Sequence, residues 1–344
     1  MDIQKSIYSE TEMVDIFREL FLKHNKVCKM VWGQIPYKKE FIRTFLSDKS
    51  FSKSPFLYWD HPVPKLIAGC WNFFKMNDMK PQKDFRLVSY LYPPGKLDCY
   101  SVGFLQPYLM HTELNCKNLN MIDADWRIHE AHWQLLEEFF KGKFTTEEEI
   151  EKDLPNLRLG WIARFDGKPM EASTDVNLNT VCFKSHHSVC KKFISAFQAR
   201  YRSIKTINLQ LSFLHSGDYT TKKDTIPVIY LSNAIDTIYT SQKQFDLFLD
   251  SVKKGLPDKG KAVFIYHSAG RDNFGIYELE RRGEAYKVRT VCKDIYYTSP
   301  VHKIQRTFST YFERIRNRDK VNKKISCQQL FLEKTGEKDI KEIN

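Results

Sequence analysis

With 344 residues, 42% of them hydrophobic and 14% aromatic, the chain can bury one large core or two ordinary ones, which excludes a disordered or fibrous protein. Its net charge of +12 favours an anionic partner, whether a phosphorylated small molecule, an acidic lipid surface or nucleic acid, although a basic surface also serves plain solubility. No run approaches the roughly 18 uninterrupted apolar residues of a membrane span, and the opening MDIQKSIYSETEM lacks the basic-then-apolar pattern of a signal peptide, so a cytoplasmic location is expected.

The texture changes near residue 85. Before it, Val14, Phe17, Leu20 and Phe21 fall at helical spacing, and 55–79 mixes Pro with Trp and Phe, so 1–85 reads as a helical N-terminal cap or substrate region. From 86 onward short apolar strands alternate with helical stretches, the pattern of an α/β domain with a mostly parallel, Rossmann-like sheet flanked by helices. That domain is expected to span 86–314, and 315–344 reads as a polar, Lys-rich helix or tail.

In chain order the candidate strands are 97–102 (LDCYSV), 118–123 (NLNMID), 206–213 (TINLQLSF), 226–231 (IPVIYL) and 261–266 (KAVFIY). A helix is expected after Asp125, with Ile128, Ala131, Leu135 and Phe139 on one face. Residues 143–160 read as a charged surface excursion and 186–201 as a basic amphipathic helix, both within an insertion over 126–205. Ser241 and Gln244 offer a capping box for a helix whose stripe is Phe245, Phe248, Leu249, Val252 and Leu256, ended by Pro257 and Gly260.

The eight cysteines (Cys28, Cys70, Cys99, Cys116, Cys182, Cys190, Cys292 and Cys327) form no C-x-x-C pair and no regular spacing. They read as reduced thiols, not as a disulfide framework or a zinc ribbon. His129 and His132 in RIHEAHW lie three apart, which is not the H-E-x-x-H spacing that puts two imidazoles on one zinc. His186, His187 and Cys190 lack an evident fourth partner, so no metal is expected.

In an open parallel sheet, ligands bind beyond the carboxyl ends of the strands. The strand ends here carry short polar groups and glycines in sequence: Ser101-Val102-Gly103, then Asp123-Ala124-Asp125, then Gly217-Asp218, then Ser232-Asn233-Ala234 with Asp236. This order resembles the class I S-adenosylmethionine-dependent methyltransferases. The resemblance covers roughly 86–275, although the family's G-x-G-x-G is reduced to Gly103 within SVGFLQP and no N-P-P-Y-type tetrapeptide follows the fourth strand. It implies a glycine turn at Gly103 beside the methionine part of S-adenosylmethionine, with Ser101 and Ser232 nearby. It also implies an acid for the ribose hydroxyls at Asp123 or Asp125, about 20 residues on, and an adenine reader at Asp218.

Each site residue has a plainer reading: Asp125 as a helix cap, Gly217-Asp218 as a simple turn, and Asn233 and Asp236 as an Asx-turn. Asn233 and Asp236 are the candidates for the reacting centre, and His267, directly after the fifth strand, is the candidate general base. The function implied is methyl transfer to an anionic small-molecule, lipid or nucleic-acid acceptor. Transfer of the 3-amino-3-carboxypropyl group from the same cofactor is the alternative, and a non-catalytic nucleic-acid or membrane-binding module is the third. Aromatic-basic stretches at 26–44 and 302–317 suit stacking on bases and neutralising phosphates, and equally suit ordinary amphipathic helices.

Overall fold

The computed structural model describes residues 2–5, 76, 78, 81–123, 126–157, 177–182, 186–222, 224–235, 240, 242–267, 274–294 and 325–336. Eight strands among them build one sheet. They are β1 (Asp2–Lys5), β2 (Leu97–Ser101), β3 (Asn118–Asp123), β4 (Thr206–Leu211), β5 (Ile226–Ser232), β6 (Lys261–His267), β7 (Phe274–Arg282) and β8 (Ala285–Asp294). The order across the sheet is β1-β4-β3-β2-β5-β6-β7-β8. The first six run parallel, and β7 and β8 are added as antiparallel strands. The described helices are α1 (Pro81–Leu91), α2 (Gln106–Leu114), α3 (Trp126–Phe140), α4 (Glu147–Asp153), α5 (Leu178–Val181), α6 (His187–Arg200), α7 (Gln242–Gly255) and α8 (Cys327–Thr335).

Strand alternation divides the apolar side chains between two cores. On β5, Val228 and Tyr230 face the larger core, and Ile229 and Leu231 face the smaller. The larger is closed by α1 through Phe85 and Val88, α2 through Leu109 and Met110, α3 through Ile128 and Leu135, and α6 through Ile194 and Phe197. The smaller is closed by α7, where the expected stripe of Phe245, Phe248, Leu249, Val252 and Leu256 is buried throughout. Each such side chain contributes about 1.5–3 kcal/mol by leaving water, so this helix is held by its stripe more than by its propensity. The β3 sequence NLNMID shows the same logic: Leu119 and Met121 enter the larger core, whereas Asn118 bonds Asp98 at 2.6 Å and Asn120 bonds the Cys99 carbonyl at 3.1 Å.

Several expectations need correction. The cysteines are not free thiols: Cys99 is bonded to Cys116, Cys182 to Cys190 and Cys292 to Cys327, and no described cysteine is free. The partners are 17, 8 and 35 residues apart, so only the fold makes them neighbours and no spacing rule could announce them. Residues 143–160 do more than decorate the surface, since Thr146 caps α4 and Ile150 and Leu154 are buried. β7 and β8 were not anticipated. Their two-residue loop places Gly283 at φ +59°, the conformation a tight hairpin demands at its first central position. β1 and α1 join the sheet and the larger core from the segment read as a separate cap, while Val14, Phe17, Leu20 and Phe21 and the stretches 26–44 and 302–317 lie outside the described residues.

Candidate functional site

Sequence order turns back between β2 and β5: β3 and β4 lie on one side of β2, and β5 and β6 on the other. Adjacent loops therefore leave the carboxyl ends of these two strands in opposite directions and open the crevice where sheets of this kind hold ligands. Gly103 follows β2 at φ +81°, and its backbone N–H donates to Asp123 Oδ2 at 3.1 Å. The 20-residue spacing seen in the sequence is thus a direct contact between the glycine turn and the carboxylate that ends β3.

Two histidines on α3 fix the backbone of this pair. His132 Nε2 lies 3.2 Å from the Gly103 carbonyl, and His129 Nε2 lies 3.0 Å from the Asp123 carbonyl. A carbonyl only accepts, so the proton sits on Nε2 of each ring, which leaves His132 Nδ1 to accept the Tyr108 hydroxyl at 2.7 Å. Burial, with His129 adding to it, holds the His132 pKa well below its usual value, so the ring stays neutral and the tautomer is fixed. RIHEAHW is a brace for the site. Among the described residues no group of three or more His, Cys, Asp or Glu side chains gathers as a metal site, and Cys190 is committed to its disulfide.

At the tip of β5 the register to β6 shifts between Tyr230 and Ser232, and Ser232 takes a left-handed φ of +46°. A non-glycine residue there carries strain of the kind that clusters at functional positions. Ser232 Oγ lies 2.8 and 3.0 Å from the two oxygens of Asp78 and 3.2 Å from Asn233 Oδ1. Asp78 Oδ2 also accepts Gln106 Nε2 at 3.2 Å. Asp78 therefore joins the tip of β5 to the first residue of α2. Gln106 in turn lies directly over Gly103: a Cβ built on Gly103 would stand 2.5 Å from Gln106 Oε1. Burial, reinforced by Asp78 and Asp84, drives the Tyr230 phenol far above its usual pKa, which places both carboxylates beside this strand tip.

The other expected residues are placed as follows. Ser101 is buried and donates to the Val102 carbonyl at 3.1 Å. Asn233 is half-buried beside Ser232. Asp218 is exposed; its Oδ1 accepts the Thr220 N–H at 2.9 Å, and its backbone exchanges bonds with the Gln210 amide at 2.9 and 3.1 Å. That is an Asx-turn, and the structure gives it no bond to Gly103 or Asp123. Asp125, Asp236 and the His267 side chain lie outside the described residues, though the His267 backbone ends β6 opposite Phe274. Sequence reasoning missed Asp78, for which KMNDMK carries no signal, and Gln106, three residues past Gly103, which a closer look at SVGFLQP could have found.

No protein-family model matches the chain, and no curated protein matches it. Among solved structures, the chain is similar to a S-adenosylmethionine-dependent methyltransferase from Clostridium acetobutylicum ATCC 824, at 12% sequence identity and a TM-score of 0.26, over 75% of this chain and 86% of that one.

Proposed function

We propose that the chain is an S-adenosylmethionine-dependent transferase that holds its cofactor across the tips of β2, β3 and β5. The observation that carries this reading is the bond from the Gly103 N–H to the Asp123 carboxylate beside the point where strand order reverses. Asp123 is half-exposed, so its carboxylate faces outward as an acceptor for a ribose diol while one oxygen stays anchored to the turn. The adenine end fits less well, because Asp218 spends its carboxylate on Thr220, and Asp125 takes no assignable part.

The cofactor supplies an electrophilic carbon on a sulfonium, so the protein's task is alignment and, for a protonated acceptor, proton removal. Asn233 at the strained tip of β5 would orient the acceptor, Asp236 would follow in the same loop, and His267 at the end of β6 would take the proton. The acceptor class stays with the positive charge of the chain: a small molecule, lipid or nucleic acid carrying anionic groups. A second reading, transfer of the 3-amino-3-carboxypropyl group, is favoured by Gln106 lying on Gly103, where the resembled family has further glycines beside the methionine part. No described helix is long and apolar enough to cross a membrane. Disulfides belong chiefly to oxidising compartments, so the three found here argue against the cytoplasmic location expected from the sequence.

The test is a calorimetric titration of the oxidised protein with S-adenosylmethionine, on wild type and on Asp123→Ala. Micromolar binding that Asp123→Ala weakens tenfold or more is the expected result, and absence of binding to wild type refutes the reading. Product analysis then separates the two transfers, because one leaves S-adenosylhomocysteine and the other methylthioadenosine.

A further inference from the structure

Gln106 is 5% exposed, and its Nε2 donates to Asp78. A carboxylate only accepts, so the amide cannot be turned the other way, and the atom over Gly103 must be the oxygen. That oxygen, Oε1, is buried and has no hydrogen-bond partner. An orphaned amide carbonyl costs roughly 1–3 kcal/mol, a penalty a purely structural clamp would avoid with an apolar side chain. Beside it stands Asp78, 1% exposed and oriented by Ser232 and Gln106 at once. Two acceptors of this kind, one neutral and one anionic, suit a donor that is positively charged and carries more than one proton.

We propose that Asp78 and Gln106 Oε1 form the receptor for the primary ammonium of the ligand's amino-acid end, an inference that rests on the cofactor reading above. The ammonium donates one proton to Gln106 Oε1 and a second to the Asp78 carboxylate, which Ser232 keeps aimed at the strand tips. Gly103 has no side chain because the amide must lie against its Cα. The positive charge is held in a site closed to bulk water, where a charge-assisted hydrogen bond is strongest. Anchoring that end orders the flexible chain that leads to the sulfonium.

The test compares two ligands on two proteins by calorimetry: S-adenosylhomocysteine, which carries the ammonium, and methylthioadenosine, which has the same nucleoside and thioether without it. Wild type is expected to bind the first at least tenfold more tightly, and Asp78→Asn to lose ten- to hundredfold of that affinity while binding methylthioadenosine as before. Equal affinity of Asp78→Asn and wild type for S-adenosylhomocysteine overturns the receptor and leaves the cofactor reading standing. Failure of wild type to bind either nucleoside overturns both. Should Asp78→Asn not fold, the ligand is varied instead: replacing the ammonium of S-adenosylhomocysteine by hydrogen must cost wild type tenfold or more, and an unchanged affinity refutes the receptor.

Discussion

Gly103→Ala is the substitution on which the geometry of the site makes its sharpest demand. Two costs are separable. An L-residue at φ +81° brings its Cβ against its own backbone, which costs about 1–2 kcal/mol. The new methyl would also stand 2.5–2.9 Å from three atoms of the Gln106 amide, so the amide must move. Moving a free side chain would be cheap, but this one is tethered to the Asp78 carboxylate, and losing a hydrogen bond to a charged group in a buried setting costs about 1.5–3 kcal/mol. The two effects together come to about 3–5 kcal/mol, a large share of a typical domain's stability. Urea denaturation of wild type, Gly103→Ala, Gln106→Ala and the double variant forms a cycle that reads the second cost alone. With Gln106 cut back to alanine, Gly103→Ala should cost only about 1–2 kcal/mol. If Gly103→Ala costs the same with and without the Gln106 amide, the amide does not lie on the glycine and the account of this turn fails.

Three further outcomes follow from the described interactions. Burial lowers the His111 pKa from 6.5 to about 4, so the unfolded chain takes up a proton that the folded chain refuses. Stability from this group is complete above pH 6.5 and drains away as pH falls toward 4, by about 3 kcal/mol. Urea midpoints across that range should fall with acid more steeply for wild type than for His111→Gln, and parallel slopes would refute the assignment. The Cys292–Cys327 bond closes a 35-residue separation and pins α8 to β8, so Cys327→Ser should cost up to about 4 kcal/mol, read as a lower urea midpoint that reductant lowers no further at this bond. Glu278 is 2% exposed, with Arg289 at 2.8 and 2.9 Å and the Tyr92 hydroxyl at 3.1 Å. Burial pushes its pKa up, but Arg289 and Lys261 outweigh that and pull it below the usual value, so Glu278→Gln should cost about 1–3 kcal/mol at neutral pH, and a neutral result would show the cluster to be dispensable.

The strands and helices whose periodicity is set by a core were legible in the sequence, because an apolar stripe is local information: the five strands from 97 to 267 and the stripe of α7 lie where their patterns put them. The pair Gly103 and Asp123 was legible for a different reason, namely that adjacent parallel strands joined by one helix place their tips about 20 residues apart. What was not legible depends on groups far apart in the chain. Asp78 reaches Ser232 across 154 residues and Gln106 across 28, and neither distance leaves a mark on composition or period. The histidines of RIHEAHW could be weighed only as metal ligands or as surface residues, because a side chain that hydrogen-bonds a distant backbone carbonyl has no sequence signature. Yet these unsigned contacts converge on the turn that was signed: His132 holds the Gly103 carbonyl, Asp123 holds its N–H, and Gln106 lies over its Cα. A turn needed only to reverse the chain would not require three side chains from three separate elements. That convergence is the physical ground for treating Gly103 as the centre of a site, whatever ligand the titrations identify.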